Sequence, residues 1–466
     1  MGVPARVQNG WMRLLPASLV SISGRCLRRL SAAAPRVVTT SGRRRYAALA
    51  AVAALGLVAC GGSEDVTKAH VRLVNAADST AYPTLELNVD GVLRQGGVSR
   101  GGSADYADVD PSKTASTITA PGSATVLRSF TPTVSKKKHY TVLAYGGAGA
   151  LTHQVLDDNV AEPASGHTSV RVINGAADAG DLDIYITGTS DALTNAVAAQ
   201  SAAGYGELGS AIDVTSGTWR LRVTAAGDKN DLRLDIPSFT LGSQQVVTLV
   251  LTPSRGGTLV HALQLVQEGG IATLDGTQAR ARVLAGVTNS GAVTATLGST
   301  TLATGVGSPV VGSYVLVSAG STAPAISVNG NSVGSPSTAL VAGGDYTLLV
   351  YGALASPVAA WVEDQNQLPT ASGKARVRLV NATAGIAGAL SLAVDGLSLA
   401  SGVAAGTASS YGLATSNSAA ALSVTAVGVS QSLYSATSQT LSASSNYSVF
   451  VVGAQGATSG LLLKDR

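Results

Sequence analysis

Cys60 is the residue whose chemistry is most readily placed. It closes the run Leu57-Val58-Ala59-Cys60, which ends an apolar stretch from Tyr46 to Ala59 that follows Arg43-Arg44-Arg45. A thiolate is a strong nucleophile, so a covalent modification at its sulfur is the chemistry this residue type offers. The other reactive residue types form no comparable group. His70, His139, His153, His167 and His261 lie singly, no H-E-x-x-H is present, and the only other cysteine is Cys26. A zinc ligand set is therefore not expected. There is no G-x-S-x-G elbow, no phosphate-binding loop and no dinucleotide fingerprint. Two carboxylate groups, Asp178/Asp181/Asp183 and Asp157/Asp158/Glu162, could ligate calcium where domains meet. They lack the loop pattern that supplies calcium with enough oxygens, so polar turn chemistry is the preferred reading. The expectation is no catalytic residue, no cofactor and no metal.

The stretch before Cys60 has the parts of a secretory signal peptide: a basic start, a short apolar run and a small-residue end. The apolar run is shorter than the ~20 residues a membrane-spanning helix needs. Its ending resembles the lipobox of bacterial lipoproteins. That resemblance implies diacylglyceryl transfer to Cys60, cleavage before it, and acylation of the new amino terminus, for example by palmitate. Multiple acyl chains give lasting attachment at about 0.8 kcal/mol per buried CH2. Residue 61 is Gly, not the Asp that retains Gram-negative lipoproteins at the inner membrane, so outer-membrane residence is expected in a Gram-negative host. The residues before Arg43 fit a signal poorly, and a start placed too far upstream is the simplest explanation. Arg43-Arg44-Arg45-Tyr46 loosely resembles a twin-arginine signal, but the general secretory route is preferred.

Removing residues 1–59 reverses the charge. That stretch holds nine arginines and no acid, so 31 Lys+Arg against 27 Asp+Glu becomes 22 against 27, a charge of −5. Nucleic acid is not an expected partner. With Cys60 lipidated no disulfide remains, so core burial alone must hold the fold. Gly, Ala, Ser, Thr and Val dominate, which suits short strands joined by tight turns.

The elements repeat. Opening strands recur at Val71-Arg72-Leu73-Val74-Asn75, Val170-Arg171-Val172-Ile173-Asn174, Ala281-Arg282-Val283-Leu284-Ala285 and Val377-Arg378-Leu379-Val380-Asn381. A second strand alternates, as in Leu85, Leu87 and Val89 before Asp90-Gly91, or Leu390, Leu392 and Val394 before Asp395-Gly396. Alternation places the apolar residues on one face, with water on the other. A later strand is more continuously apolar: Tyr140 to Gly146, Val247 to Thr252, Tyr346 to Gly352 and Tyr447 to Gly453. The tyrosine that opens three of these either bonds backbone across the preceding turn, as in a tyrosine corner, or packs across strands. Each of the first three units closes on a polar tail, such as Asp157-Asp158-Asn159 or Glu363-Asp364-Gln365-Asn366. Trp219 is expected in a core between sheets.

About seven strands per unit predict an all-β chain of tandem immunoglobulin-like β-sandwich modules, four copies after a signal peptide. The expected divisions are 1–59 leader, 60–68 lipidated tether, and modules at 69–161, 168–268, 280–367 (degenerate) and 375–466. The Val-Arg-Leu-Val-Asn strand, the Val-Asp-Gly ending and the Tyr-Thr-Val/Leu-Leu-x-Tyr-Gly strand together resemble the bacterial domain-of-unknown-function family 4397. The resemblance implies a secreted or surface-anchored protein and supplies no mechanism.

The expected function is non-catalytic: a lipid-anchored cell-envelope protein acting as adhesive, spacer or scaffold through multivalent surface contacts. Its partners would be the membrane, through lipid on Cys60, and an envelope protein or glycan. The alternative is a ligand-binding lipoprotein that recognises a glycan or peptide at a module junction.

Overall fold

The computed structural model describes residues 65–78, 80–429 and 431–466. The first repeat comprises eight strands: β1 (Ala69–Ala77), β2 (Thr84–Val89), β3 (Val92–Ser99), β4 (Ala107–Val109), β5 (Ser116–Thr119), β6 (Val126–Phe130), β7 (His139–Gly146) and β8 (Thr152–Asp157). They form two four-stranded sheets, ordered β4-β1-β7-β8 and β3-β2-β5-β6. The apolar alternation of β2 points Leu85, Leu87 and Val89 into the space between the sheets. Asp90 and Gly91 turn the β2–β3 hairpin, both with positive φ (52° and 73°). That is the backbone twist a two-residue hairpin requires, and the reason an Asp-Gly pair stands there.

The chain is therefore all-β and built from β-sandwich modules. The strand count is eight rather than seven, and the two central strands of one sheet, β1 and β7, run parallel, in register from His70↔His139 to Ala77↔Gly146. The same plan recurs three times. Strands equivalent to β1 are His167–Asn174, Gln278–Val287 and Lys374–Ala384; those equivalent to β7 are Gln245–Pro253, Asp345–Ala353 and Asn446–Ala454. Each such pair is parallel. The second repeat adds Ile271–Leu274 at the edge of its sheet. In the third and fourth, the β4 equivalent is split in two.

The tyrosine at the start of the β7 equivalents bonds across the turn. The backbone N–H of Ser135 donates to the Tyr140 hydroxyl (3.2 Å), that of Val341 to Tyr346 (2.9 Å) and that of Ser442 to Tyr447 (2.9 Å). The Asn at or near the end of the opening strand is buried and pins the next loop. Asn75 donates to the carbonyls of Tyr82 and Val98, and Asn174 to those of Gly180 and Ala203. The third repeat has Ala285 there; Ser308 takes over, accepting from Val287 N–H and donating to the Gly291 carbonyl.

Each sandwich has its own core. Two further cores lie between sandwiches. Val74, Leu143, Tyr145 and Leu156 of the first pack against Ile173, Val250, Leu263 and Leu265 of the second. Leu284, Leu349, Tyr351 and Val362 of the third pack against Val380, Ala382, Phe450 and Val452 of the fourth. The sheets containing β1 and β7 thus stack face to face, and the modules come as two four-layered pairs. This explains the continuously apolar strands: buried on both faces, they lose the alternation that one wet face imposes. All nine residues of β1 are buried.

Candidate functional site

Stacking two sheets face to face also buries the polar residues on those faces. The arginine of each opening strand lies there, and in the third and fourth repeats it is fully compensated. Arg282 donates Nε to Thr347 Oγ1 (2.9 Å) and Nη2 to Asp465 Oδ1 (2.6 Å). Arg378 donates Nε to Ser448 Oγ (2.7 Å) and Nη2 to Asp364. Asp465 follows the last strand of the fourth module, and Asp364 ends that of the third. Each arginine therefore crosses to its neighbour's carboxylate. The second carboxylate oxygens accept from Tyr314 (2.6 Å, on Asp364) and Tyr411 (3.0 Å, on Asp465). The same tyrosine rings underlie the guanidinium groups, Tyr314 at 4.4 Å from Arg282 and Tyr411 at 4.9 Å from Arg378.

The side chains of Asp364 and Asp465 are fully buried (0 %), those of Arg282 and Arg378 nearly so (3 % and 2 %). Burial opposes the charge on Asp364, but Arg378 and Arg282 outweigh it and hold the carboxyl below its usual range. Burial likewise opposes the charge of Arg378, and Asp364 more than restores it. Burial pushes Tyr314 and Tyr411 up, so both remain hydroxyl donors.

The first pair carries half of this clamp. Arg72 donates Nε to Thr141 Oγ1 (2.8 Å), and Tyr106 donates to Asp158 (2.7 Å). The other end of Arg72 meets only carbonyls of the second module, Gly269 (2.6 Å) and Val266 (3.0 Å). By sheet register, the second module has Ala211 at the place of Tyr106 and Gln267 at the place of Asp158. Gln267 instead exchanges two hydrogen bonds with the backbone of Val160 (2.8 and 3.1 Å). Arg171 retains a weak bond to Thr248 (3.4 Å), its Nε is buried without a partner, and burial lowers it despite Asp158 and Asp157 nearby.

The two pairs meet. Gly256 N–H donates to the Gly343 carbonyl (2.8 Å), Leu368 N–H to Asp178 Oδ1 (2.8 Å), and Arg280 to Thr258 (2.7 Å). At this junction all four modules line a cleft of about 320 Å³ whose polar walls include Asp78, Arg255, Glu363 and Arg376. It shares Glu363 and Gln365 with a second cleft of about 300 Å³, lined by Trp361, Thr407, Ser410 and Tyr411. Arg255 pairs with Glu363 at 2.9 Å. Arg376 lies over the Tyr411 ring at 4.6 Å and donates to the carbonyls of Gln365 and Gln367.

Cys60 lies outside the described residues. Of the carboxylates considered for calcium, Asp178, Asp183 and Asp158 are engaged separately. Asp178 accepts from Leu368, Asp183 from Ala202 and Gly227, Asp158 from Tyr106 and Thr141. Among the described residues no three His, Cys, Asp or Glu side chains gather closely enough to hold a metal ion. Not all histidines lie singly: His70 and His139 stack at 4.7 Å, because β1 and β7 bring them into register. Trp219 is half-buried against the second core and donates to the Thr215 carbonyl (2.9 Å).

The clamp was not foreseen from sequence, where Arg on a strand reads as a solvated side chain. The usable signal was coincidence across copies: Arg on the opening strand, Tyr before the fourth strand or its equivalent, Thr or Ser after the corner tyrosine, and Asp at the end of the last strand or just after it, in copies one and three. The fourth repeats it at Arg378, Tyr411, Ser448 and Asp465.

No match is found among the curated proteins. Among solved structures, the Bacillus anthracis TIE protein aligns with 82% of this chain and 68% of its own at 7% identity and a TM-score of 0.13, too slight a likeness to support any inference. A family description matches residues 69–185 and 279–393, in each case the first module of a pair and the opening strands of the second. The matching family is DUF4397, a domain of unknown function, which the chain resembles over these two tandem stretches.

Proposed function

We propose that this is a non-catalytic, lipid-anchored cell-envelope protein, held at the membrane through acyl chains on Cys60, that serves as a rigid adhesive or scaffold. In a Gram-negative host residue 61 is Gly and not the Asp of inner-membrane retention, which favours the outer membrane. One observation carries the reading. The buried ion pairs Arg282–Asp465 and Arg378–Asp364 join one module to the next, and Arg378 also borders the second cleft. Buried charge used this way fixes the relative placement of surfaces. The multivalent unit is then the module pair, since a single module would expose the apolar face that its partner covers.

A second reading is favoured by the polar clefts where the modules meet: recognition of a glycan or peptide at the junction. The test is an array of envelope glycans and cell-wall fragments probed with the full chain, with product release followed in parallel. Saturable binding without turnover supports a binding scaffold. Turnover of any fragment overturns the non-catalytic reading.

A further inference from the structure

The turn that leads into β7 is built to one plan in all four modules. By sheet register, Lys136-Lys137-Lys138 of the first stands where the others have Ser243-Gln244-Gln245, Ala342-Gly343-Gly344 and Ala443-Ser444-Ser445. The middle residue has positive φ in each, at 62°, 59°, 76° and 53°. Its backbone N–H donates to a carbonyl at or just before the start of the opening strand: Lys137 to Lys68 (2.7 Å), Gln244 to His167 (2.7 Å), Gly343 to Gln278 (2.8 Å) and Ser444 to Lys374 (2.8 Å). This geometry asks for no charge, and positive φ favours glycine over lysine. Yet three lysines stand in the copy nearest Cys60 along the chain. All three are exposed, and among the described residues no carboxylate reaches them at ion-pair distance. The acids at this end have other partners: Asp110 pairs with Lys68 (3.3 Å), Asp108 with His70 (3.0 Å) and Glu268 with His139 (3.2 Å), while Asp65 accepts from Thr67 and Asp157 from Asn159.

We propose that this lysine turn is a contact surface for the anionic phospholipid headgroups of the membrane that carries the acyl anchor; the proposal rests on the anchoring reading above. Lys137 is bonded to Lys68, and Lys68 N–H in turn donates to the Asp65 carbonyl (2.9 Å). Five residue steps separate Cys60 from Asp65, at most about 18 Å of chain. An acyl group on Cys60 therefore keeps this end of the first module beside the lipid surface. The turn can then come within the ~8 Å over which exposed charges act at physiological salt. Lysine ammonium groups on flexible stems are point charges that meet phosphate without a fixed geometry. Basic residues next to a membrane anchor add to its hold on an anionic surface. From this end β1 runs nine residues, about 30 Å, to Asp78, which lines the junction with the second pair. Seating the lysine end on lipid thus turns the second pair away from the membrane.

The test is vesicle sedimentation of residues 61–466, which hold every described strand and all the cores. Leaving out Cys60 separates failure of this proposal from failure of the anchor, which palmitate labelling decides. Vesicles containing phosphatidylglycerol should bind the chain and pure phosphatidylcholine should not, and raising the salt from about 0.02 to 0.5 M should release it. Lys136→Ser, Lys137→Gln and Lys138→Gln together reproduce the turn of the second module. They should weaken binding by about tenfold or more and leave the thermal melt unchanged. Arginine at the same three positions should bind as the lysines do. No binding to phosphatidylglycerol, equal binding to both vesicle types, or binding indifferent to the triple variant overturns the proposal. Loss of binding in the arginine variant overturns it too, since charge would then not be what binds. Displacement by inorganic phosphate at constant ionic strength shows a discrete phosphate site in place of a membrane contact and also overturns it.

Discussion

Arg378, on the opening strand of the fourth module, donates to Asp364 at the end of the third, and neither side chain is more than 2 % exposed. With its counterpart, Arg282 on Asp465, it makes a reciprocal clamp: each module lends its neighbour a cation and takes one in return. Removing one partner from such a pair leaves a buried charge uncompensated.

Asp364→Asn should therefore destabilise the chain by about 3–5 kcal/mol, read as a lower urea midpoint. Asp158→Asn should cost less, because the Arg72 fork already rests on the carbonyls of Gly269 and Val266. Equal losses for the two would show that the reciprocal arrangement adds nothing.

Stability should fall in two stages on acidification. His153 and His261 are lowered, by burial first and then by Arg128 and Arg100 respectively. A histidine that is lowered in the fold protonates more readily when unfolded, so its contribution declines as pH drops below about 6.5. Asp364 is also lowered. Its contribution is complete above the unfolded value of about 3.9 and is lost as pH falls below that toward its depressed folded value. Thermal melts across pH 7 to 2 should show both stages, and Asp364→Asn should flatten only the second.

The core between the third and fourth sandwiches includes Phe450, which is fully buried. Phe450→Ala should cost about 3–5 kcal/mol. Residues 280–466 made alone should remain monomeric, whereas residues 375–466 made alone should self-associate through the uncovered sheet face. Analytical ultracentrifugation distinguishes the two, and a monomeric 375–466 would contradict the paired arrangement.

Lipid attachment at Cys60 predicts that the Cys60→Ser chain loses labelling by radioactive palmitate and leaves the membrane fraction. Normal labelling of that variant removes the basis for an anchored protein.

Much of the fold was legible because local rules and the tertiary arrangement agree. Leu85, Leu87 and Val89 alternate and face a core, and Asp90-Gly91 turns a hairpin; of the two roles open to Tyr140, the bond across its corner is the one found. What was not legible depends on a surface that one repeat does not contain. Arg72 and Asp158 look solvated within one sandwich and are buried only because a second sheet covers them. The tail Glu363-Asp364-Gln365-Asn366 reads as a polar linker for the same reason. Its Asp364 completes the clamp, and its Gln365 lines both clefts. His70 and His139, 69 positions apart, are brought together only by the parallel pairing of β1 and β7.

That parallel pairing also constrains the order in which the molecule can assemble. The centre of each stacking sheet joins a module's opening strand to one near its end, as when Arg72 meets Thr141 across 69 residues. The closing contact of the last pair, Arg282 to Asp465, spans 183. Contacts of such long range slow folding, because the entropy of loop closure is lost before the contact repays it. A ribosome or export channel releasing this chain from its amino end would hold each opening strand exposed and unpaired until nearly a whole module had emerged. During that interval the most apolar strands of the protein are also its least protected, and protection from holding chaperones would matter most there.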